Sequence, residues 1–222
     1  MKMLFKKLDL SDAQREQVKL IMQNAREERG VYGGEDDQIK AQMKQQMQMQ
    51  SWDEQAVRTL LASQMESAKP AQLAAAKARH QVFNTLTSEQ QAKLASLAEK
   101  RKDKAKDKQG KRPQGMLRAA KKLGLSDEQQ AQISALQDQA HSQREANKSI
   151  MQAHREATKA LVNASEFDSQ AWAQLQDSFA ATRIDMGVQR AKNRFDVMAV
   201  LSPEQREKWK EKMDKQRDKK RK

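Results

Sequence analysis

Apolar side chains recur along this chain every three or four positions and hardly ever every second one, the period of a helix packed on one face. Val18, Ile21, Met22 and Ala25 form one such stripe and predict a first helix from about Ser11 to Arg29, stopped by the glycines between Gly30 and Gly34. Ile39, Met43 and Met47 predict a second, from about Glu35 to Gln50, ending at Ser51-Trp52. A third starts near Asp53 and reaches towards Leu86, with Pro70 inside it expected to kink or split it. A fourth follows Thr87, with Leu94 and Leu97 on its stripe.

The same order then runs again. Ile133, Leu136 and Ala140 stand for the first stripe, in a stretch without the glycines, so that helix is expected to continue further or turn less sharply. Ile150, Met151, Ala157, Leu161 and Val162 stand for the second, ending near Ala164-Ser165. Trp172, Leu175, Phe179, Met186, Phe195, Met198 and Leu201 mark a third helix from Asp168 to Leu201, with no internal proline and therefore expected to be the straighter one. Trp209 and Met213 mark the fourth.

One short pattern punctuates these helices four times: Leu, then Ser or Thr, two residues, then Gln. It occurs at Leu10-Ser11-Asp12-Ala13-Gln14, Leu86-Thr87-Ser88-Glu89-Gln90, Leu125-Ser126-Asp127-Glu128-Gln129 and Leu201-Ser202-Pro203-Glu204-Gln205. This is a capping box: the hydroxyl accepts from a backbone N–H of the first turn, and the Gln carbonyl reaches back to the N–H of the capping residue. Pro203 stands at the first helical position, where an N–H is not needed. The acids Asp12, Glu89, Asp127 and Glu204 follow the caps, where the helix dipole favours them. The position that usually staples to the leading Leu is polar each time (Arg15, Gln91, Gln130, Arg206). Each Leu must therefore find its apolar neighbour elsewhere or stay exposed.

The spacing of the boxes is regular. Within each half they stand 76 residues apart, and corresponding boxes stand 115 apart. Trp52-Asp53-Glu54-Gln55-Ala56 matches Phe167-Asp168-Ser169-Gln170-Ala171 at the same offset of 115, and Ala76-Lys77-Ala78-Arg79 matches Ala191-Lys192-Asn193-Arg194. Four boxes and two further anchors in one register make the chain a tandem duplication. The copies are expected at 1–109 and 116–222, joined by a linker at 110–115 that follows Gln109 and carries Pro113 and two glycines.

Composition sharpens this picture. Ala, Gln, Lys, Glu, Met, Arg and Leu dominate, and only 4% of the residues are aromatic, which predicts an all-α, elongated protein with a thin core. No run approaches the roughly 18 apolar residues of a membrane span. The net charge is +13, and both copies are basic: residues 1–115 carry 22 Lys and Arg against 15 acids, and residues 116–222 carry 21 against 15. Such an excess attracts acidic partners. Basic residues interleaved with acids, and few aromatics for stacking, argue against nucleic acid. There is no cysteine, so neither a disulfide nor a thiol site exists. His80, His141 and His154 show no metal-ligand spacing, and there is no glycine-rich phosphate loop, so no metal, cofactor or enzymatic activity is expected. Twelve methionines remain. Met43, Met47 and Met49 cluster, with Met3, Met22 and Met65 as candidates to join them. They fill gaps in a thin core or make an adaptable binding surface.

The repeated Leu-Ser/Thr-x-x-Gln boxes, 76 residues apart and bracketing a Phe/Trp-Asp helix start, resemble the Spy/CpxP family of envelope stress proteins, also called the LTXXQ family. The run from Met3 to Gln14 is especially similar. The resemblance covers nearly the whole chain, twice. It implies four-helix units that pair antiparallel into a thin curved cradle with a basic, partly apolar concave face. Here both units lie in one chain, so an intramolecular pseudo-dimer and a monomeric protein are expected. The function implied is an ATP-independent periplasmic chaperone, a holdase for unfolded or partly folded clients. The alternative is a regulator that docks on the periplasmic sensor domain of an envelope-stress kinase. The periplasm implies a leader removed ahead of Met1. By position, the resemblance places Phe5, Leu8, Leu10, Val18, Lys19, Met22, Arg79, Phe83 and Leu94 on or near the concave face, with Leu123, Leu125, Ile133, Arg194, Met198 and Trp209 from the second copy.

Overall fold

The computed structural model describes residues 7–31, 33–49, 51–109 and 123–211, with the side chains of 29, 31, 33–37 and 101–109 left aside. Among these residues every regular element is a helix. The first copy holds α1 (Asp12–Val31), α2 (Gly33–Gln46), α3 (Glu54–Asn84) and α4 (Ser88–Gln109). The second holds α5 (Asp127–Ala146), α6 (Lys148–Val162), α7 (Ser169–Ser178), α8 (Ala180–Val200) and α9 (203–211). The expected linker at 110–115 lies outside the described residues.

All four boxes close as capping boxes. The backbone N–H groups of Ser11, Thr87, Ser126 and Ser202 donate to the Oε1 atoms of Gln14, Gln90, Gln129 and Gln205 at 3.0, 3.0, 3.1 and 2.9 Å. The four hydroxyls accept from the N–H groups of those glutamines at 3.2, 3.3, 3.2 and 3.3 Å. The boxes are also joined in pairs. Gln14 and Gln90 exchange amide hydrogen bonds of 2.8 and 3.1 Å, and Gln129 and Gln205 exchange bonds of 2.9 and 3.1 Å. Gln14 Nε2 donates further to Thr85 O (2.7 Å) and Gln129 Nε2 to Val200 O (2.8 Å). Each copy is thus clamped where its first helix starts beside the end of its third. The leading leucines of the first copy find their neighbours here: Leu8, Leu10 and Leu86 form one buried cluster, with Leu94 and Leu97 packed against it. Three of the four polar residues in the staple position cap carbonyls instead. Gln91 donates to Phe83 O and Leu86 O, Gln130 to Leu125 O, and Arg206 to Met198 O and Leu201 O.

The long helices join the copies. α3 runs antiparallel to α7 and α8, and the two aromatic contacts along this seam are related by a pseudo-two-fold. Trp52 meets Phe195 with ring centroids 5.5 Å apart and planes at 54°; His80 meets Phe167 at 5.6 Å and 47°. An offset of 115 turns one pair into the other. Between them Arg58 pairs with Asp185 (2.5 Å) and Lys69 with Asp177 (2.9 Å), and Gly187 lies against Leu61. Val57, Ala76, Trp172 and Val188 are buried along these helices. The intramolecular pseudo-dimer is therefore present.

Four sequence expectations change. Pro70 does not break its helix: α3 is continuous over 31 residues. Packing on both sides outweighs one missing N–H, since α3 touches elements of both copies. The proline-free counterpart is the interrupted one, at Phe179, between α7 and α8. There the buried Phe179 ring stacks on His154 at 4.1 Å, and Ser178 Oγ donates to Leu175 O. The first helix does end inside the glycine-rich stretch, at Val31. The second copy turns at Asn147, the matching place, without glycine. Finally α2 stops at Gln46, so Met47 and Met49 lie in the turn that follows rather than on the helix.

Candidate functional site

The second helix of one copy and the last helices of the other leave a groove of about 1260 Å³ between them. Its walls come from α2 and the turn after it, from Leu61 and Gln64 of α3, and from α8 and α9. Ile39, Met43, Met47, Met49, Leu61, Phe195, Met198 and Trp209 supply its apolar lining. Among the described residues, Lys40, Lys44, Arg194, Arg206 and Lys210 bring five cations to it, against the single carboxylate of Glu207.

Local structure explains why these side chains share one space. Met43 and Ile39 are four apart on α2, hence on one face. Arg194 and Met198 share a face of α8 in the same way. Arg206, in the first turn of α9, is fixed by three carbonyls at the end of α8: Met198 (2.9 Å), Leu201 (3.0 Å) and Ala199 (3.3 Å). Its charge is thereby held at the groove wall rather than swinging in solvent. Glu207 lies 3.5 Å from Lys210. Phe195, packed on Trp52, forms the floor where the groove meets the seam. Five positive charges around an apolar floor raise the local concentration of acidic groups before any apolar contact forms. The thioethers adapt to differently shaped apolar side chains at little cost. Nothing among the described residues of this lining pairs a nucleophile with a base. Among the described residues no three or more His, Asp or Glu side chains come together to hold a metal. Nor is any helix among them long and apolar enough to cross a membrane.

The residues expected on an open face part into three groups. Arg194, Met198 and Trp209 meet in the groove. Lys19 and Arg79 are exposed, and Met22, Phe83, Leu94 and Leu125 are half-buried elsewhere. Leu8, Leu10, Val18, Leu123 and Ile133 are inside, at 1–6% exposure, so in this structure they hold helices together rather than face solvent. Phe5 lies outside the described residues. Sequence reasoning placed neither Leu61 and Phe195 nor the lysines Lys40, Lys44 and Lys210 at a site. The methionine cluster at 43, 47 and 49 was the signal that pointed to it.

His154 stands apart from the groove. Burial lowers its pKa below the ordinary 6.5, and the charge of Arg183 lowers it further. Its Nε2 is enclosed without a hydrogen-bond partner.

No curated protein and no solved structure matches the chain. The sequence profile of the LTXXQ motif family does, and it does so twice, over residues 1–98 and 109–213. These two matches fall on the two copies that the boxes, the 115-residue offset and the pseudo-two-fold delimit, and the chain belongs to the LTXXQ motif family as a tandem duplication.

Proposed function

We propose that this protein is an ATP-independent holdase of the periplasm, which captures unfolded or partly folded polypeptides on basic, partly apolar surface. The observation that carries the reading is the groove between α2 and α8–α9: adaptable thioethers and aromatic rings, surrounded by five cations and one carboxylate. Long-range attraction brings an acidic client in, and shallow apolar contacts then hold it loosely enough to fold while bound. The compartment follows from the resemblance to Spy/CpxP proteins, not from the geometry. The units at 1–109 and 116–222 act as one body, because the seam between them forms the groove's floor.

The test is suppression of light scattering by a chemically denatured enzyme diluted into buffer without nucleotide. Equimolar protein should suppress aggregation, and Met43→Ser with Met198→Ser should suppress it less. Added salt should slow capture, since the steering charges are exposed. No suppression at equimolar protein, together with specific retention of a sensor-kinase periplasmic domain, would replace the holdase by the regulator.

A further inference from the structure

The seam between the copies has two ends that the 115-residue offset makes equivalent, yet they are built differently. At the first end α6 lies down on α3. Val162 packs on Ala76. His80 donates from Nδ1 to Val162 O (3.1 Å), and its Nε2 accepts from Asn84 Nδ2 (3.1 Å). Asn84 Nδ2 also reaches Ser165 O at 3.2 Å. The carbonyls at the end of α6 are thus stapled to α3 by two polar side chains.

At the second end the corresponding partners are Met47 for Val162, Ala191 for Ala76, Phe195 for His80 and Ala199 for Asn84. All four line the groove. A phenyl ring and a methyl group have no N–H to give to the carbonyls that end α2. The position matching Val162 is occupied by a longer, unbranched side chain. The contact that closes one end is missing at the other, and the groove is the space it leaves.

We infer that the duplication has made the ends unequal in role: the stapled end is structural, and the unstapled end holds one acidic, apolar polypeptide segment per chain. The ligand's chemistry rests on the holdase reading and on the five-to-one charge balance of the groove's described lining; the asymmetry rests on the hydrogen bonds alone. α2 is then the movable wall. It closes on a bound segment instead of on α8, because Phe195 and Ala199 stand where His80 and Asn84 make the staple at the other end.

Two measurements separate the parts. Hydrogen exchange of the free protein should show the amides of 39–49 opening at least tenfold faster than those of 154–164; equal protection at the two ends overturns the asymmetry whatever the ligand is. Calorimetric titration with a short peptide of Glu, Leu and Phe should give one peptide per chain. Phe195→His with Ala199→Asn, which installs the staple, should slow exchange at 39–49 and weaken that peptide at least tenfold, about 1.4 kcal/mol. Unchanged affinity in a variant whose 39–49 amides have become protected overturns the assignment of the groove as the site. If the double variant fails to fold, His80→Phe with Asn84→Ala supplies the converse: exchange at 154–164 should rise to match 39–49, and no change there overturns the staple. Failure of the wild-type protein to bind the peptide, with the exchange difference intact, rejects the ligand chemistry and leaves the unequal ends standing.

Discussion

Replacing Gln14 by Glu separates the capping box from the clamp that the structure adds to it. In an isolated box Glu and Gln serve alike, and the extra charge near a helix start is mildly favourable, so Q14E should be neutral or slightly stabilising. In the folded protein the amide nitrogen of Gln14 donates to Thr85 O at 2.7 Å and to Gln90 Oε1 at 2.8 Å. A carboxylate has nothing to donate. Losing two part-buried hydrogen bonds costs about 2 kcal/mol. Setting a negative charge against two oxygens costs about 1 kcal/mol more after partial screening by solvent. For a chain of this size about 3 kcal/mol lowers Tm by roughly 6–12 °C. The loss should shrink on acidification below about pH 4, where a protonated carboxyl regains one donor. Thermal unfolding followed by circular dichroism at neutral and acid pH decides it. A Q14E protein as stable as its parent at neutral pH would refute the clamp and leave four independent caps.

Two further outcomes follow from the same geometry. Burial holds the His154 imidazole below its ordinary 6.5, so the unfolded chain binds its proton first: stability is complete above about pH 6.5 and falls as the pH drops below it. Denaturant midpoints at about pH 7.5 and about pH 5.5 should differ more in the wild type than in His154→Phe, which keeps the stack on Phe179 without a titrating group. If the two copies satisfy each other across the α3–α8 seam, sedimentation should give a monomer of 25.4 kDa, and a stable dimer would mean that the seam forms between chains.

Much of this architecture is written in short-range signals. A hydroxyl and a glutamine three residues apart fix a helix start by local geometry, and the boxes therefore stand where the sequence places them. The repeat at offset 115 implies a pairing, and the twin contacts Trp52–Phe195 and Phe167–His80 express it. Helix breaks were harder. A proline is a strong local signal, but Pro70 sits in a helix packed by both copies. The break at Phe179 comes from an aromatic stack on another helix and leaves no local mark. The groove was hidden for a related reason, since it depends on how far α2 stands from α8. Part of its cause was nonetheless legible. Aligning the copies sets Phe195 and Ala199 opposite His80 and Asn84, which is a loss of two hydrogen-bonding side chains at equivalent places.

The residue before each leading box tests how much backbone strain the clamp tolerates. Asp9 and Gly124 are equivalent by the offset, and both have positive φ, 50° and 65°. That conformation turns their carbonyls towards the opposite box, where Gln90 Nε2 reaches Asp9 O at 3.4 Å and Gln205 Nε2 reaches Gly124 O at 3.1 Å. A Cβ at Gly124 would meet no atom within 4 Å, so the cost of a side chain there is conformational rather than steric. An L-residue with a plain side chain should lose about 1–2 kcal/mol. Asp tolerates the left-handed region better, and at Asp9 its carboxylate also pairs with Lys93 at 2.5 Å, which lowers its pKa. Lys208 occupies the place of Lys93 in the second copy. Gly124→Asp should therefore lose less stability than Gly124→Ala, and high salt should narrow the gap by screening the exposed pair. Equal Tm values for the glycine protein and Gly124→Ala would mean that the segment before Leu125 relaxes freely and that the second clamp does not depend on the left-handed turn.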